Sequence, residues 1–389
     1  MTAARRQAGP ADLRLQAAVF APVCAAFSNI YVTQPVLPVL QAEFASDLVT
    51  VSLTVSMVIL GIALANLPFG SLADRVPIQP VVLTGGVVVA LAGLVCALTH
   101  DLRVLIGARF LQGLFIPALT TTLAAHLART LPAGRLGVAM GSYISATVLG
   151  GLGGRLLGGW LHPPLHWRYA FVSAAALVLT ATVFALRWLP RGPAVHRPQA
   201  GAVGFLSLLR RWDLLRLYLC AAGSFAVFSS VFNYLPFRLA GPPFALPTEI
   251  VTLVYLVYVI GIFMGPTAGR LGNRYGTGNT LLGGVAVLAG SLLLVLVPST
   301  AAVVAGLVGV CTGFFTVHAG AVGALNRKLS QGQGRANALY VLFYYGGGWL
   351  GITMAGFAYD QGGWAAVVAL ALCLLAVPLA AGIGERRPA

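Results

Sequence analysis

Charge is what this chain lacks. Only 8% of its 389 residues are Asp, Glu, Lys or Arg, and nine are acidic, against roughly 25% charged in an ordinary soluble domain. A soluble fold of that length needs a far more polar surface, so the soluble classes are excluded. Cysteine is also scarce. Cys24, Cys96, Cys220, Cys311 and Cys373 each stand alone in a separate apolar run, which excludes a paired disulfide framework and a cysteine metal centre. No Walker-type phosphate loop, H-E-x-x-H, G-x-S-x-G or embedded aspartate pair occurs. ATP-driven pumping and intramembrane hydrolysis therefore have no motif to rest on, and no cofactor or metal is implied.

What is present is apolar sequence in long blocks. Hydrophobic residues make up 58% and mean hydropathy is +0.89. The blocks do not alternate every second residue, which excludes a membrane β-barrel. A helical span needs about 20 apolar residues. Twelve such spans are read, at 15–40, 50–72, 79–98, 103–127, 137–160, 168–189, 214–239, 248–270, 278–298, 300–323, 336–358 and 364–383. The expected fold is an all-α polytopic membrane protein. Residues 190–213 are basic and carry Pro190, Pro193 and Pro198, the composition of a linker. They divide the chain into a bundle at 1–189 and a second at 214–389. The opening Arg5, Arg6 and Arg14 followed by an apolar run imitate a signal peptide. An uncleaved first span is preferred, because the run continues into Asn29, Tyr31 and Gln34.

Basic residues collect on the cytoplasmic side of a membrane protein. With the N-terminus inside, 19 of the 24 Lys and Arg fall inside, both termini are cytoplasmic, and Arg109 and Arg155 are left within the membrane. The +15 charge is spread over many loops and forms no single patch, so nucleic-acid binding is not indicated.

The halves repeat at an offset near 200. Gly70 to Arg75 align with Gly269 to Arg274, Gly134-Arg135 with Gly334-Arg335, Gly113 with Gly313, Gln34-Pro35 with Leu235-Pro236, and Trp167 with Trp364. Two homologous six-helix bundles can rock about a site at their interface. The third, sixth, ninth and twelfth spans are apolar all round and belong at the lipid-facing periphery. The first, fourth, seventh and tenth carry polar residues at helical spacing. The candidate cavity residues are Asn29, Tyr31, Thr33 and Gln34, Arg109 and Gln112, Ser230, Asn233 and Tyr234, and Thr312, Thr316 and His318. Tyr255, Tyr258, Tyr340 and Tyr344 close its sides. Bonding within and between helices is the plainer use of such groups.

Three motifs carry a resemblance. Gly70, Leu72, Asp74 and Arg75 fit G-x-L-a-D-R-x-G-R-[RK], with Pro77, Ile78 and Gln79 departing from it; the second copy, Gly269 to Arg274, has Asn273 for the acid. Arg109, Gln112 and Gly113 fit R-x-x-Q-G. Gly150, Gly154, Gly158 and Gly159 fit G-x-x-x-G-P-x-x-G-G, with Arg155 where proline is expected. The chain resembles the major facilitator superfamily over nearly its whole length. Tyr143-Ile144-Ser145, the glycine-rich stretch and Trp167-Arg168 most resemble the YnfM-like branch of the drug and arabinose exporter group, which are drug:proton antiporters. The resemblance implies the major facilitator fold, transport by alternating access and a monomer in the inner membrane. It also implies a cytoplasmic gate at Gly70, Asp74, Arg75, Gly269, Asn273 and Arg274.

The glycines of 150–159 are expected to bring the fifth span close to the opposite half. Arg155 is expected to latch the outer side by pairing with backbone carbonyls or with Glu43, Asp47 or Glu249. Arg109 is read either as functional or as a tie to backbone carbonyls. All nine acids lie in loops, tails or helix ends, so the embedded fixed charges are both positive. Such a cavity repels cations and suits a small neutral or anionic organic solute. His318 is the candidate proton carrier, with a hydrogen-bonded structural histidine as the alternative. The expected function is export of such a solute, with proton antiport as one coupling mode and an uncoupled facilitator of a sugar-like solute as the alternative. A receptor or an intramembrane enzyme fits the repeat and the polar inner helices less well.

Overall fold

The computed structural model describes residues 10–73, 75–131, 133–189 and 204–386. Among the described residues the regular structure is helical and contains no strand. Ten segments among the described residues are long and apolar enough to cross a membrane. We label α1 Leu13–Glu43, α2 Leu48–Leu72, α3 Ile78–Leu98, α4 Leu102–Thr130, α6 Arg168–Trp188, α7 Trp212–Ala240, α8 Thr248–Tyr275, α9 Thr277–Leu294 and α10 Thr300–Arg327. Between α4 and α6 stands α5, Ala133–Trp160, a 28-residue helix outside the ten. The tenth segment, Gln333–Gly384, is broken at Gly362 and at Gly363, which has φ 61°. That left-handed value suits a residue without a Cβ. The parts on either side are α11 (333–361) and α12 (364–384). Twelve passages thus depend on α5 and on this break as well as on length and apolarity.

The helix ends follow from local chemistry. Asp47 accepts the Thr50 backbone N–H at 2.8 Å and caps α2; Asp101 accepts that of Arg103 at 2.7 Å and caps α4. Gly276, at φ 81°, separates α8 from α9. Residues 190–203 of the expected linker lie outside the described residues, and a short helix follows at Phe205–Arg210.

In the first half α1 packs on α5 and α6, α2 on α4, and α3 on α4 and α6. In the second, α7 packs on α11, α9 on α10 and α12, and α8 on α10. Between the halves the main seams are α2 with α11 and α5 with α8. Exposed apolar side chains stand on α3 (Leu83, Leu91, Val95), α6 (Val172, Leu177, Val183), α9 (Val287, Leu293) and α12 (Val377, Leu379, Ile383), and also on α8 (Ile250, Leu253, Ile262, Phe263) and α11 (Leu350, Met354, Phe357). The first four are the helices expected at the lipid; α8 and α11 share that exposure. Among the described residues, basic side chains cluster at one end of the molecule, from Arg14, Arg75 and Arg187 to Arg216, Arg274, Arg327 and Arg386. We call this the basic end. Arg103, Arg168 and Arg238 stand at the far end.

Candidate functional site

α1 is interrupted where it matters. Its regular helix stops at Tyr31, and a 3-10 turn Gln34–Val36 follows, with Pro35 inside it and all three residues buried. The carbonyls of a helix's last turn have no intrahelical partner, so those before Tyr31 are free for other donors. Arg109, fully buried on α4, takes two of them. Its Nη1 donates to Asn29 O at 2.6 Å and to Gln112 Oε1 at 2.6 Å, its Nη2 to Ile30 O at 2.5 Å, and its Nε to Thr54 O at 2.8 Å. Gln112 Nε2 then reaches Val89 O at 3.0 Å and Asn29 Oδ1 at 3.3 Å. One guanidinium thereby joins α1, α2 and α4. Of the two readings of Arg109, this geometry is the tie to backbone carbonyls.

Arg155 does something different. It is 1% exposed and stands in the seam between the halves. Its Nε donates to Gln34 Oε1 at 2.6 Å, its Nη1 to Gly151 O at 2.8 Å, and its Nη2 to the Tyr258 hydroxyl at 2.8 Å. The guanidinium carbon lies 3.8 Å from the Tyr31 ring centre, 4.1 Å from Tyr258 and 5.3 Å from Tyr255, within the range of cation–π attraction. The acids expected as partners are engaged elsewhere or do not reach it. Glu43 accepts from Arg168 Nη1 at 2.5 Å and from the Trp167 indole N–H. Asp47 caps α2, and no ion pair joins Glu249 to Arg155 among the described residues. Of the expected partners a backbone carbonyl is present, Gly151 O, and the acids are not; an amide and an aromatic cage complete the surroundings. A guanidinium that is planar and weakly hydrated can stack this way.

The glycine motif has a different partner from the expected one. A Cβ on Gly150, Gly154 or Gly158 would lie 2.2, 2.0 or 1.9 Å from the carbonyl oxygens of Cys24, Ser28 and Val32. These glycines and their partners both recur every fourth residue, so α5 is sealed to α1 of its own half. Only Gly159 meets the other half, where its Cβ would stand 1.8 Å from Thr252 Oγ1 on α8. Spacing shows that some backbone comes close; it does not show which.

The remaining candidates divide. His318 and Tyr340 meet, with the Tyr340 hydroxyl 3.0 Å from His318 Nδ1. Tyr344 stacks on Phe225 at 3.8 Å. The Tyr255 hydroxyl donates to Phe232 O at 3.1 Å, the Tyr234 hydroxyl to Ile352 O at 2.9 Å, and Ser230 to Ala226 O at 2.6 Å. Asn233 and Thr33 are buried. Thr312 and Thr316 point away from the seam, into a groove between α8 and α9. Periodicity gave them a shared face and not its direction.

A search for polar groups missed the aromatic wall beside Arg155. Phe228 stacks on Phe314 at 4.0 Å and meets Tyr258 edge-on at 5.3 Å, and Phe232 meets Tyr258 at 4.6 Å. The recurrence of Phe225, Phe228 and Phe232 at helical spacing on α7 was the available signal.

At the basic end Asp74 lies outside the described residues. A Cβ on Gly70 would lie 3.8 Å from Thr121 Cγ2, Arg75 is exposed, a Cβ on Gly269 would meet nothing, Asn273 is exposed, and Arg274 lies over Tyr275. The link between halves here runs through Asn66, which donates to Ala338 O at 3.2 Å and accepts from Thr121 at 2.6 Å. The seam is asymmetric. α5 and α8 are packed tightly at the far end, through Gly159 and Arg155, and touch only slightly toward the basic end. There Val138 and Ile144 on α5 and Phe263 on α8 are exposed, and a Cβ on Gly141 or Gly265 would meet open space.

Two sets of helices that meet along α2–α11 and α5–α8, the second pair parted toward the basic end, with a caged charge between them, have the architecture of a membrane transporter. The model of the Major Facilitator Superfamily matches residues 19–326, and the chain belongs to that family. It is 29% identical over 383 residues to the uncharacterized MFS-type transporter YybF of Bacillus subtilis, covering 96% of this chain and 94% of that protein. It is 27% identical over 380 residues to the inner membrane transport protein YnfM of Escherichia coli, covering 96% and 90%. Its fold is similar to a bacterial homologue of the human lysosomal transporter Spinster in an inward-facing, unoccupied conformation, at TM-score 0.77 and 15% identity, over 98% of this chain and 100% of that one.

Proposed function

We propose that this protein is a secondary transporter that exports a small neutral or anionic organic solute across the inner membrane by alternating access. The basic end, with both termini, lies in the cytoplasm, and α5 and α8 part toward that side. The observation that carries the reading is Arg155, a fixed positive charge in the seam, held by amide and aromatic groups of both halves and by no carboxylate among the described residues. A cation gains nothing there, and an anion or a polar neutral solute does. The site comprises Tyr31, Gln34, Arg155, Tyr255 and Tyr258, with His318, Tyr340 and Tyr344 on the path to the basic end.

Uncoupled exchange is the second reading. No carboxylate stands in the seam among the described residues, and His318 is the one titratable imidazole beside it, engaged by Tyr340. Counterflow in proteoliposomes, run against neutral, anionic and cationic compounds with and without a pH gradient, tests both. Saturable exchange of neutral or anionic compounds supports the proposal, and exchange confined to cations overturns it. Gradient-driven accumulation that His318→Gln abolishes, with counterflow spared, assigns the proton to His318. Accumulation absent in the unaltered protein supports the facilitator.

A further inference from the structure

The groove between α8 and α9 plays no part in the seam. It has a volume of about 390 Å³, with Met264 and Leu271 of α8 on one wall, Gly283, Gly284 and Val287 of α9 on the other, and α10 as its floor. The floor is apolar to a visitor, because the Thr312 and Thr316 hydroxyls are spent on Val308 O at 2.8 Å and Thr312 O at 2.7 Å of their own helix. Tyr275 and Asn279 stand at its basic end. Three arginines gather there. Arg386 Nε donates to Asn279 Oδ1 at 2.5 Å, Arg327 Nη2 donates to Thr277 Oγ1 at 2.7 Å, and the Arg274 guanidinium lies 5.1 Å from the Tyr275 ring. Among the described residues none of the three has a carboxylate partner, whereas their neighbours Arg216 and Lys328 share Glu385.

An apolar slot on the lipid-facing side, ending in uncompensated guanidinium groups at the level of the headgroups, has the chemistry of an anionic amphiphile reversed. We propose that it is a binding site for an anionic phospholipid of the leaflet at the basic end. The phosphate sits among Arg274, Arg327 and Arg386, and one acyl chain lies between α8 and α9. Gly283 keeps the slot open: a Cβ there would meet nothing within 4 Å.

The test is lipid retention by the full-length protein, delipidated in mild detergent and followed by native mass spectrometry. Dioleoyl phosphatidylglycerol and dioleoyl phosphatidylcholine are supplied in equal amounts. The expected preference for phosphatidylglycerol is about tenfold or more, from the attraction of several arginines for one headgroup. The triple variant Arg274→Gln, Arg327→Gln, Arg386→Gln should bring the two lipids level. Gly283→Leu, which fills open space and leaves the arginines in place, should weaken retention of both. It keeps the test decisive should the triple variant fail to fold. Equal retention of the two lipids by the unaltered protein, or retention untouched by Gly283→Leu, overturns the proposal. So does full displacement of phosphatidylglycerol by inorganic phosphate, which would mark a plain anion site.

Discussion

Arg109 and Arg155 are both buried arginines in an apolar chain, and their surroundings give them opposite mutational signatures. Removing Arg109 orphans the carbonyls of Asn29, Ile30 and Thr54. Arg109→Ala should cost about 2–4 kcal/mol of stability, read as a lower midpoint of thermal unfolding in detergent. Arg109→Lys should not restore it, since one ammonium nitrogen cannot span carbonyls that the guanidinium reaches from three separate nitrogens. An unfolding midpoint equal to that of the unaltered protein would show the tie to be dispensable. Arg155→Gln removes a charge and not a scaffold. It should leave folded protein in the membrane and reduce counterflow of anionic compounds at least about tenfold more than that of neutral ones, the worth of one charged hydrogen bond; equal loss for both would disconnect Arg155 from solute charge. Asp47 offers a pH signature. The hydrogen bond from Thr50 holds its carboxyl below the ordinary carboxylate range. Its stabilisation is therefore present above the unfolded pKa of about 3.9 and is lost as pH falls through the lower folded value. Asp47→Ala should cost about 0.5–1 kcal/mol at pH 7, and the gap should narrow below about pH 4; a gap constant down to pH 3 would contradict the cap.

At the scale of elements, α5 shows how glycine is read and misread. Gly154→Ala drives a Cβ to 2.0 Å from Ser28 O, so α1 and α5 must part, at a cost of about 1–3 kcal/mol. Gly141→Ala, where a Cβ meets nothing, should be neutral or stabilising by up to about 1 kcal/mol. Unfolding midpoints of the two variants measure this contrast, and equal midpoints would mean the close approach is not tight. The four-residue spacing of Gly150, Gly154 and Gly158 was legible; their partner was not, because the matching Cys24, Ser28 and Val32 carry no common chemistry to search for. The exposed apolar faces of α3, α6, α9 and α12 were legible from uniform apolarity; those of α8 and α11, which share their helices with polar residues, were not. The rotation of α10 was not, since Thr312 and Thr316 share a face whichever way the helix turns. Arg155 was singled out by its rarity in an apolar run. Its tyrosine cage escaped notice because two of the three rings come from α8, about 100 residues farther along the chain.

The whole molecule is described by where its halves meet. At the far end α5 and α8 are locked by Gly159 against Thr252 and by Arg155 against Tyr258, while toward the basic end they separate and leave Val138 and Phe263 exposed. Alternating access requires this asymmetry to reverse. Reporter fusions after residues 45, 100 and 245 should place the far end outside, and a cytoplasmic signal at any of them would overturn the orientation. The reversal itself is the central claim, and spin-label distances in lipid nanodiscs test it most directly, with one pair at Leu165 and Ile250 on the far end and another at Val138 and Phe263 toward the basic end. Under conditions where counterflow proceeds, the account predicts two populations whose distances move in opposite directions at the two ends. A single fixed distance at each end would contradict it.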